Sequence, residues 1–565
     1  MRNILVSILI SFCVCSCSKP LESERKGIIP TPLTQEGLDE PPFTLSSGTV
    51  ISYSDSSLIG IARLLADDIK KQLGLSLKVE LSAKTKNRIS LNICADNSVF
   101  TSLPSTYGIS AKDEELNNER YLLNIASEGI QITGSSPEGV YRGTTSLRHL
   151  LGISNGNKKI NIPTVRIKDT PVFARRGLSL DVSRTFFEVE EVKQVIDMLA
   201  LYKMNVLHLH LTDNQGWRLE IKKHPQINEI GSFVENQGRK GGYYTHEQYK
   251  DIVNYAAERF ITIVPELDLP GHTTPVFASF PEFNNCANLE YAMYVPGQAV
   301  VALDPDDEKA MQFVRDVLDE LIEITPGPFI HIGGDETFGM REDKFISFVN
   351  KIRPMVLERG KKIIGWQEIS RADIGEGDLY QNWIYFKKKG EPKKQSDQAS
   401  SLPKELVEMF AATYAKGAQD IPCGIGKGAK LILSPREYAY MDHPYTEQSV
   451  DSLQENERKR LGLNLGSYAG CTIEEIYNWN PTTLYPDIDW KQDLAGVEAG
   501  IWCETIESFS DLQFLLLPRL TGMAEKAWSH NNNDWENYRS NLSYQAPLWE
   551  NENWNFFKSS LVDWK

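Results

Sequence analysis

Positive charge is the first thing this 565-residue sequence is short of. Lys and Arg number 60 against 76 Asp and Glu, a formal net charge of −16. That balance argues against nucleic acid or an anionic membrane surface as the main partner. Cysteine is also scarce. After residue 17 only Cys94, Cys286, Cys423, Cys471 and Cys503 remain. An odd number at wide spacings carries neither a disulfide framework nor a zinc-ligand pattern, although an exported protein could hold one bridge. No internal repeat is visible, and the one apolar run at the start, residues 4–14, is too short to span a bilayer comfortably.

What is there begins with a targeting segment. Arg2 supplies positive charge, the apolar run follows, and VCSC closes it at residues 14–17. This resembles a bacterial lipobox, whose cysteine is lipidated and becomes the new N-terminus. Cys17 fits best, because Ser16 precedes it and a polar stretch follows; Cys15 and an ordinary cleaved signal peptide are the other readings. The expectation is an exported lipoprotein, in the periplasm or outer membrane of a Gram-negative bacterium, that meets the membrane only through its lipid.

A chain this long needs more than one core. Residues 1–17 read as the lipoprotein signal and 18–45, rich in Pro, Ser, Thr and charge, as a tether. Residues 46–165 read as a small α+β domain, with YLLNIA and GIQITG as a hairpin and SPEGVYRGTTSLRHLL as the helix after it. From 166 to 530 apolar β-rich runs alternate with amphipathic helical stretches. Eight strand candidates stand out: GLSLDVS, NVLHLHL, ITIVPELD, FIHIGGDE, KIIGWQE, LYQNWIY, KLILSP and VEAGIWCE. Strands alternating with helices imply parallel βαβ units, and eight are the number in a (β/α)8 barrel. The predicted fold is thus α/β, a (β/α)8 TIM barrel preceded by a small α+β domain. Residues 387–405 read as an exposed charged insertion and 531–565 as an aromatic tail packed on the barrel.

Most strand candidates end on chemistry. The ends carry Arg184; His208, His210, Asp213 and Trp217; Glu266, Asp268 and His272; His331, Asp335 and Glu336; Trp366; Trp383; Tyr440, Asp442 and His443; and Trp502 and Glu504. The C-terminal strand ends are where such barrels place their active sites. Aromatic faces stack on sugar rings while acids and Arg bind hydroxyls, so the set suggests a carbohydrate pocket.

On RGLSLDVSR, NVLHLHLTDNQGWR, PELDLPGH, HIGGDE, the spaced Trp366 and Trp383, YMD and GVEAGIWCE, the chain resembles the glycoside hydrolase family 20 β-N-acetylhexosaminidases. The resemblance runs from about residue 46 to about 530. It implies exo-acting, retaining removal of terminal β-linked GlcNAc or GalNAc from glycans, with no cofactor and no metal. In this family the substrate's own 2-acetamido oxygen attacks C1 and forms an oxazolinium. Glu336 is then implied as general acid and base, with the Asp335 carboxylate beside it favouring its protonated form. Asp335 is implied to orient the acetamide and Tyr440 to donate to its oxygen. Trp366, Trp383 and Trp502 would wall the acetamido group. Arg184, Glu504 and Asp442 would bind hydroxyls, and Asp213, His272 and Asp268 would support Glu336. An acid at 442 points to neutral over 6-sulfated sugars, with His443 as the complication. Two other readings exist. His208-x-His210 at a strand end is a metal-site pattern in amidohydrolase barrels, although period-2 spacing also suits hydrogen-bonded core histidines. A catalytically inactive glycan-binding surface lipoprotein is the second. The choice of sugar, the natural glycan, any disulfide and the oligomeric state are not legible.

Overall fold

The computed structural model describes residues 27–565 apart from 95, 114–117, 154–157, 234–240, 288–300, 386–414, 463–468 and 532. The lipobox cysteine Cys17 and the charged insertion at 387–405 therefore lie outside the described residues.

The N-terminal part is a seven-stranded mixed sheet. Its spatial order is Thr34–Gly37, Val165–Asp169, Tyr121–Ala126, Gly129–Gly134, Arg88–Ile93, Val50–Tyr53 and Lys78–Leu81. The expected hairpin is present, with Tyr121 opposite Gly134 and Ala126 opposite Gly129. Helix α1 (Ile59–Leu73) buries Ile61, Leu65, Ile69 and Leu73, a one-face pattern four residues apart, and stops at the left-handed Gly74. Helix α2 (Pro137–Leu151) starts where Ser136 Oγ accepts the Gly139 N–H, with Pro137 in its first turn. Almost all of α2 is buried because it is covered on two sides. Gly143 lies against Ile132 and Tyr121 of the sheet. On the other side Arg142 donates to the Phe260 carbonyl and His149 Nε2 lies 3.1 Å from the Leu201 carbonyl, at the end of barrel helix α3 (Val189–Leu201).

The second part is a closed barrel of eight parallel strands, here numbered 1 to 8: Arg175–Asp181, Val206–His210, Thr262–Glu266, Phe329–His331, Lys362–Trp366, Leu379–Asn382, Lys430–Leu433 and Leu494–Ile501. Strand 8 pairs with both strand 7 and strand 1, which closes the ring. Each of the eight apolar runs read from the sequence supplies one strand. Among the described residues no helix is long and apolar enough to cross a membrane.

One boundary needs correction. Residues 18–45 were expected to be a tether, yet from residue 27 the chain is built into the fold. Ile28 and Ile29 are buried. Thr34–Gly37 is an edge strand on Val165–Asp169, and Phe43–Ser46 pairs with Lys159–Ile162. Thr31 N–H donates to Glu525 and Leu33 N–H to Asp169. The tail packs back: Trp549 Nε1 donates to the Tyr202 hydroxyl, Phe557 stacks on Tyr445 at 3.9 Å, and Gln545 donates to the Gly27 carbonyl.

Candidate active site

Strand 4 is short and ends at His331. The next five residues make a tight turn in which Gly333, Gly334 and Glu336 have φ of 66°, 103° and 44°. Gly333 is required there, since a Cβ would sit 2.0 Å from Asp268 Oδ1. The turn is held by its neighbours. Gly333 N–H donates to His331 Nδ1, Gly334 N–H to Asp268 Oδ1, and Trp366 N–H on strand 5 to the Gly333 carbonyl. Glu336 in the left-handed region is strained by roughly 1 kcal/mol or more. The strain turns two successive carboxyls toward the mouth of the barrel, where the Asp335 and Glu336 side chains are 16% and 21% exposed.

Behind them stands His272, also at positive φ (51°). Its Nδ1 is 3.0 Å from Asp213 Oδ1, and its Nε2 lies 3.9 Å from Asp335 Oδ2 and 4.0 Å from Glu336 Oε2. Burial alone would lower His272, but Asp213, Asp335 and Glu336 lift it to about 9, so its ring is charged near neutral pH. Asp213 is held well below the usual carboxylate range despite burial, by Arg184 and His272. Arg184 reaches Asp213 at 2.7 Å, Asp181 at 3.2 Å and Glu504 at 3.8 Å. Asp335 goes the other way. Burial, then Asp268, Glu336 and Glu368, push its carboxyl well above the usual range. Asp268 is raised by burial and Glu266. Asp335 is therefore itself a lifted carboxyl.

An aromatic box faces the pair. Trp366, Trp383 and Tyr440 cluster with Trp502. Trp502 lies 5.7 Å from both the Trp366 and the Tyr440 rings, with the Arg184 guanidinium 5.4 Å from its own. Asp442 accepts the Trp502 N–H, and burial with Glu504 nearby pushes its carboxyl up to about 8. Glu504 is raised by burial and Asp181 although Arg184 opposes this. His443 does not join them. Its nitrogens lie 3.0 and 2.7 Å from the Ala469 and Arg436 carbonyls. Trp217 packs on Phe313 and donates to the Leu219 carbonyl, a core residue.

All twelve barrel residues predicted for the site therefore lie on one rim. Sequence reasoning missed several that hold them. Asp181 accepts the Ser183, Arg184 and Cys503 N–H groups, tying strand 1 to strand 8. Gln367 accepts from Asn382, Trp383 and Ile384 and so places Trp383. Glu368 receives the Trp383 indole N–H, and burial and Asp420 push it up to about 8. Glu266 sits under the whole set. The signal was available for Asp181, an acid ending the LDVSR strand; Gln367 and Glu368 sat beside the Trp366 that drew the eye.

His208 and His210 face carboxylates: Glu498 and Glu266 for the first, Glu266 and Asp213 for the second. Four groups bring donor atoms within 4.8 Å: His208–Glu266–His331, His210–Glu266–Asp268, Asp213–Asp268–His272 and His272–Asp335–Glu336. Histidine–carboxylate contacts link Glu266 to His208, His210 and His331, and His272 to Asp213, Asp335 and Glu336, while Asp268 accepts the Gly334 N–H.

Comparison with known proteins agrees with this geometry. Residues 173–531 match the family model "Glycosyl hydrolase family 20, catalytic domain" and residues 25–170 match "Glycosyl hydrolase family 20, domain 2". A β-N-acetylhexosaminidase of Cellulomonas fimi is 31% identical over 543 residues, covering 95% of this chain and 97% of that protein. The family 20 β-N-acetylhexosaminidase of Streptomyces coelicolor A3(2) superposes with a TM-score of 0.77 at 32% identity, over 95% of this chain and 98% of that one. A Streptomyces plicatus β-hexosaminidase variant, solved in complex with product GlcNAc, does so with a TM-score of 0.77 at 32% identity, over 95% and 97%.

Proposed function

The chain belongs to glycoside hydrolase family 20 and is an enzyme of the β-N-acetylhexosaminidase class, and from that premise we propose that it removes terminal, non-reducing β-linked GlcNAc or GalNAc from glycans with retention, the substrate's acetamide acting as nucleophile. The observation that carries this reading is the Asp335–Glu336 turn with the charged His272 behind it and the aromatic box in front. Support for the sugar comes from the Streptomyces plicatus enzyme, which was solved with GlcNAc.

The acetamide carbonyl oxygen attacks C1 while the C1–O glycosidic bond breaks. Glu336 gives its proton to the departing oxygen, and an oxazolinium results. Water then attacks C1 as Glu336 takes its proton, the ring opens, and the β-configuration is restored. The nucleophile is tethered, so little entropy is lost on reaching C1. Asp335 accepts the acetamide N–H and faces the positive charge that develops on the ring. Its own neighbours favour this role. A carboxyl pushed up by surrounding acids is relieved by a donor or a cation, and the oxazolinium is both. Tyr440 donates to the acetamide oxygen, and burial and Asp335 push its hydroxyl well above the usual phenol range, so it keeps its proton. Trp366, Trp383 and Trp502 exclude water from the acetamide. Arg184, Glu504 and Asp442 take the sugar hydroxyls and close the pocket to longer chains on that side. With His443 turned to backbone carbonyls, the acids Asp442 and Glu504 on this side of the pocket disfavour a 6-sulfate and favour neutral sugars.

From the VCSC lipobox alone we further propose that the protein is held in the envelope by a lipid on Cys17. Cys17→Ala should release it from the membrane fraction; full retention would contradict the anchor. Activity is tested with protein lacking residues 1–17, by release of 4-nitrophenol from the β-GlcNAc and β-GalNAc glycosides. Turnover of at least one supports the reading. No turnover of either, or of chitobiose, contradicts it.

A further inference from the structure

Beneath the catalytic pair a column of buried ionisable side chains runs along the barrel axis. Arg175 on strand 1 pairs with Glu498 on strand 8 at 2.9 Å. Glu498 Oε1 is 2.9 Å from His208 Nδ1, and His208 Nε2 is 3.0 Å from Glu266 Oε2. His210 Nδ1 lies 2.5 Å from the same oxygen, and its Nε2 lies 3.0 Å from Asp213 Oδ2. Asp213 then meets His272, and His272 faces Asp335 and Glu336. The signs alternate throughout, and each member from Arg175 to His272 is buried. The Gly177 position leaves the room, since a Cβ there would lie 2.4 Å from Glu498 Oε2.

Stability does not explain such a column. Barrel interiors are ordinarily filled by branched apolar side chains. Replacing buried ion pairs by apolar residues of similar size is often neutral or stabilising. Three groups nevertheless converge on one carboxylate, His208 and His210 from strand 2 and Trp366 Nε1 from strand 5 at 2.8 Å, and His331 Nδ1 on strand 4, which accepts the Gly333 N–H, lies 3.0 Å from it. The other charged groups around the hub are Glu498 and Arg175 below, and Asp213, Asp268 and Arg184 above.

We propose that Glu266 is a positioning residue for the proton donor: it engages one ring N–H of His210 so that the other grips Asp213, whose second oxygen then holds His272 against Glu336. Its three histidine contacts together hold the Glu266 carboxyl well below the usual range although burial opposes this, consistent with a permanent anion at the hub. The inference rests on Glu336 as the general acid. Without the anion, a neutral His210 has one N–H for two partners, the Asp213 grip loosens, and His272 loses its fixed place. Proton delivery then fails most where the leaving group needs the proton most.

The test compares wild type with Glu266→Gln, Glu498→Gln and Glu119→Gln, the last a buried acid that pairs with Arg142 and Arg176 and with no member of the column. Each is assayed on 4-nitrophenyl β-GlcNAc, whose leaving group departs almost unaided, and on chitobiose, whose sugar alkoxide does not. Glu266→Gln should lose about 100-fold in kcat on chitobiose and less than about 5-fold on the nitrophenyl glycoside, with KM within about 2-fold. Glu498→Gln should show the same bias, weaker, and Glu119→Gln none. Both substrates meet the same preparation, so incomplete folding cancels from the ratio. Equal losses on the two substrates, or no loss, would overturn the proposal while wild-type turnover keeps the proposed activity. Wild type inactive on both would remove the assignment of Glu336 and the proposal with it.

Discussion

Two regions of this molecule bury charge, and they do so in opposite ways. At the junction of the small domain and the barrel, Glu119 sits between Arg142 at 2.8 Å and Arg176. Lys203 reaches Asp169 at 3.0 Å. Glu119 is held below its ordinary range by Arg176 and Arg142 against the effect of burial. Even Glu138, pushed up by burial and Glu119, keeps Arg142 at 3.0 Å and Lys112 at 3.6 Å. Here four cations face three acids, and every acid has a cation beside it. On the rim the acids crowd one another. Asp335, Asp268, Glu368 and Asp442 are all pushed up, by burial first and other carboxyls second. A donor or a cation placed there relieves that crowding, which suits the positively charged intermediate proposed above. Burial is common to both; the balance of signs decides between joint and site.

Substitutions can break the contrast. The largest effect belongs to the rim. Glu336→Gln and Asp335→Asn should each lower kcat by about 10³-fold while melting close to wild type; a fall in melting temperature with rates preserved would reverse the assignment. Next comes the joint. Glu119→Gln leaves Arg142 and Arg176 without their shared anion and should cost about 3 kcal/mol in denaturant unfolding, with kcat of the folded protein unchanged. A loss of kcat without destabilisation would mean that the joint serves catalysis. The smallest effect is His149→Gln at the same joint. Burial pushes the His149 imidazole down to about 3. An unfolded histidine takes up its proton near pH ~6.5, so wild type loses stability as pH falls from about 6.5 toward 3, roughly 2 kcal/mol by about pH 5. The variant should lack that slope; melting curves from pH 7 to 5 with equal slopes for both proteins would contradict it.

The barrel was legible because each strand is an apolar run ending in polar residues, and because chemistry gathers at one end of those runs. The segment before it was not. Thr34–Gly37 is an edge strand with none of its residues buried, and its TQEG composition reads the same in a strand as in a tether. Only pairing with Val165–Asp169, far along the chain, separates the two. The Asp335–Glu336 pair stood out through two glycines before two acids. Glu266 stood among the strand-end acids without a role, since PELD shows an acid among acids and the side chains around it arrive from strands 2, 4 and 5. His443 was ambiguous because the carbonyls that claim its ring belong to Arg436, across the short helix before it, and to Ala469 further along the chain.

The central claim is that the nucleophile belongs to the substrate. It is tested by measuring kcat on 4-nitrophenyl β-glycosides whose N-acetyl methyl carries zero, one, two or three fluorines. Fluorine withdraws electrons from the amide oxygen and weakens its attack on C1. The account predicts a monotonic fall of at least about 100-fold across the series, with the 2-hydroxyl glucoside not turned over. A flat series, or a glucoside cleaved at a comparable rate, would place the nucleophile on the protein and contradict the account.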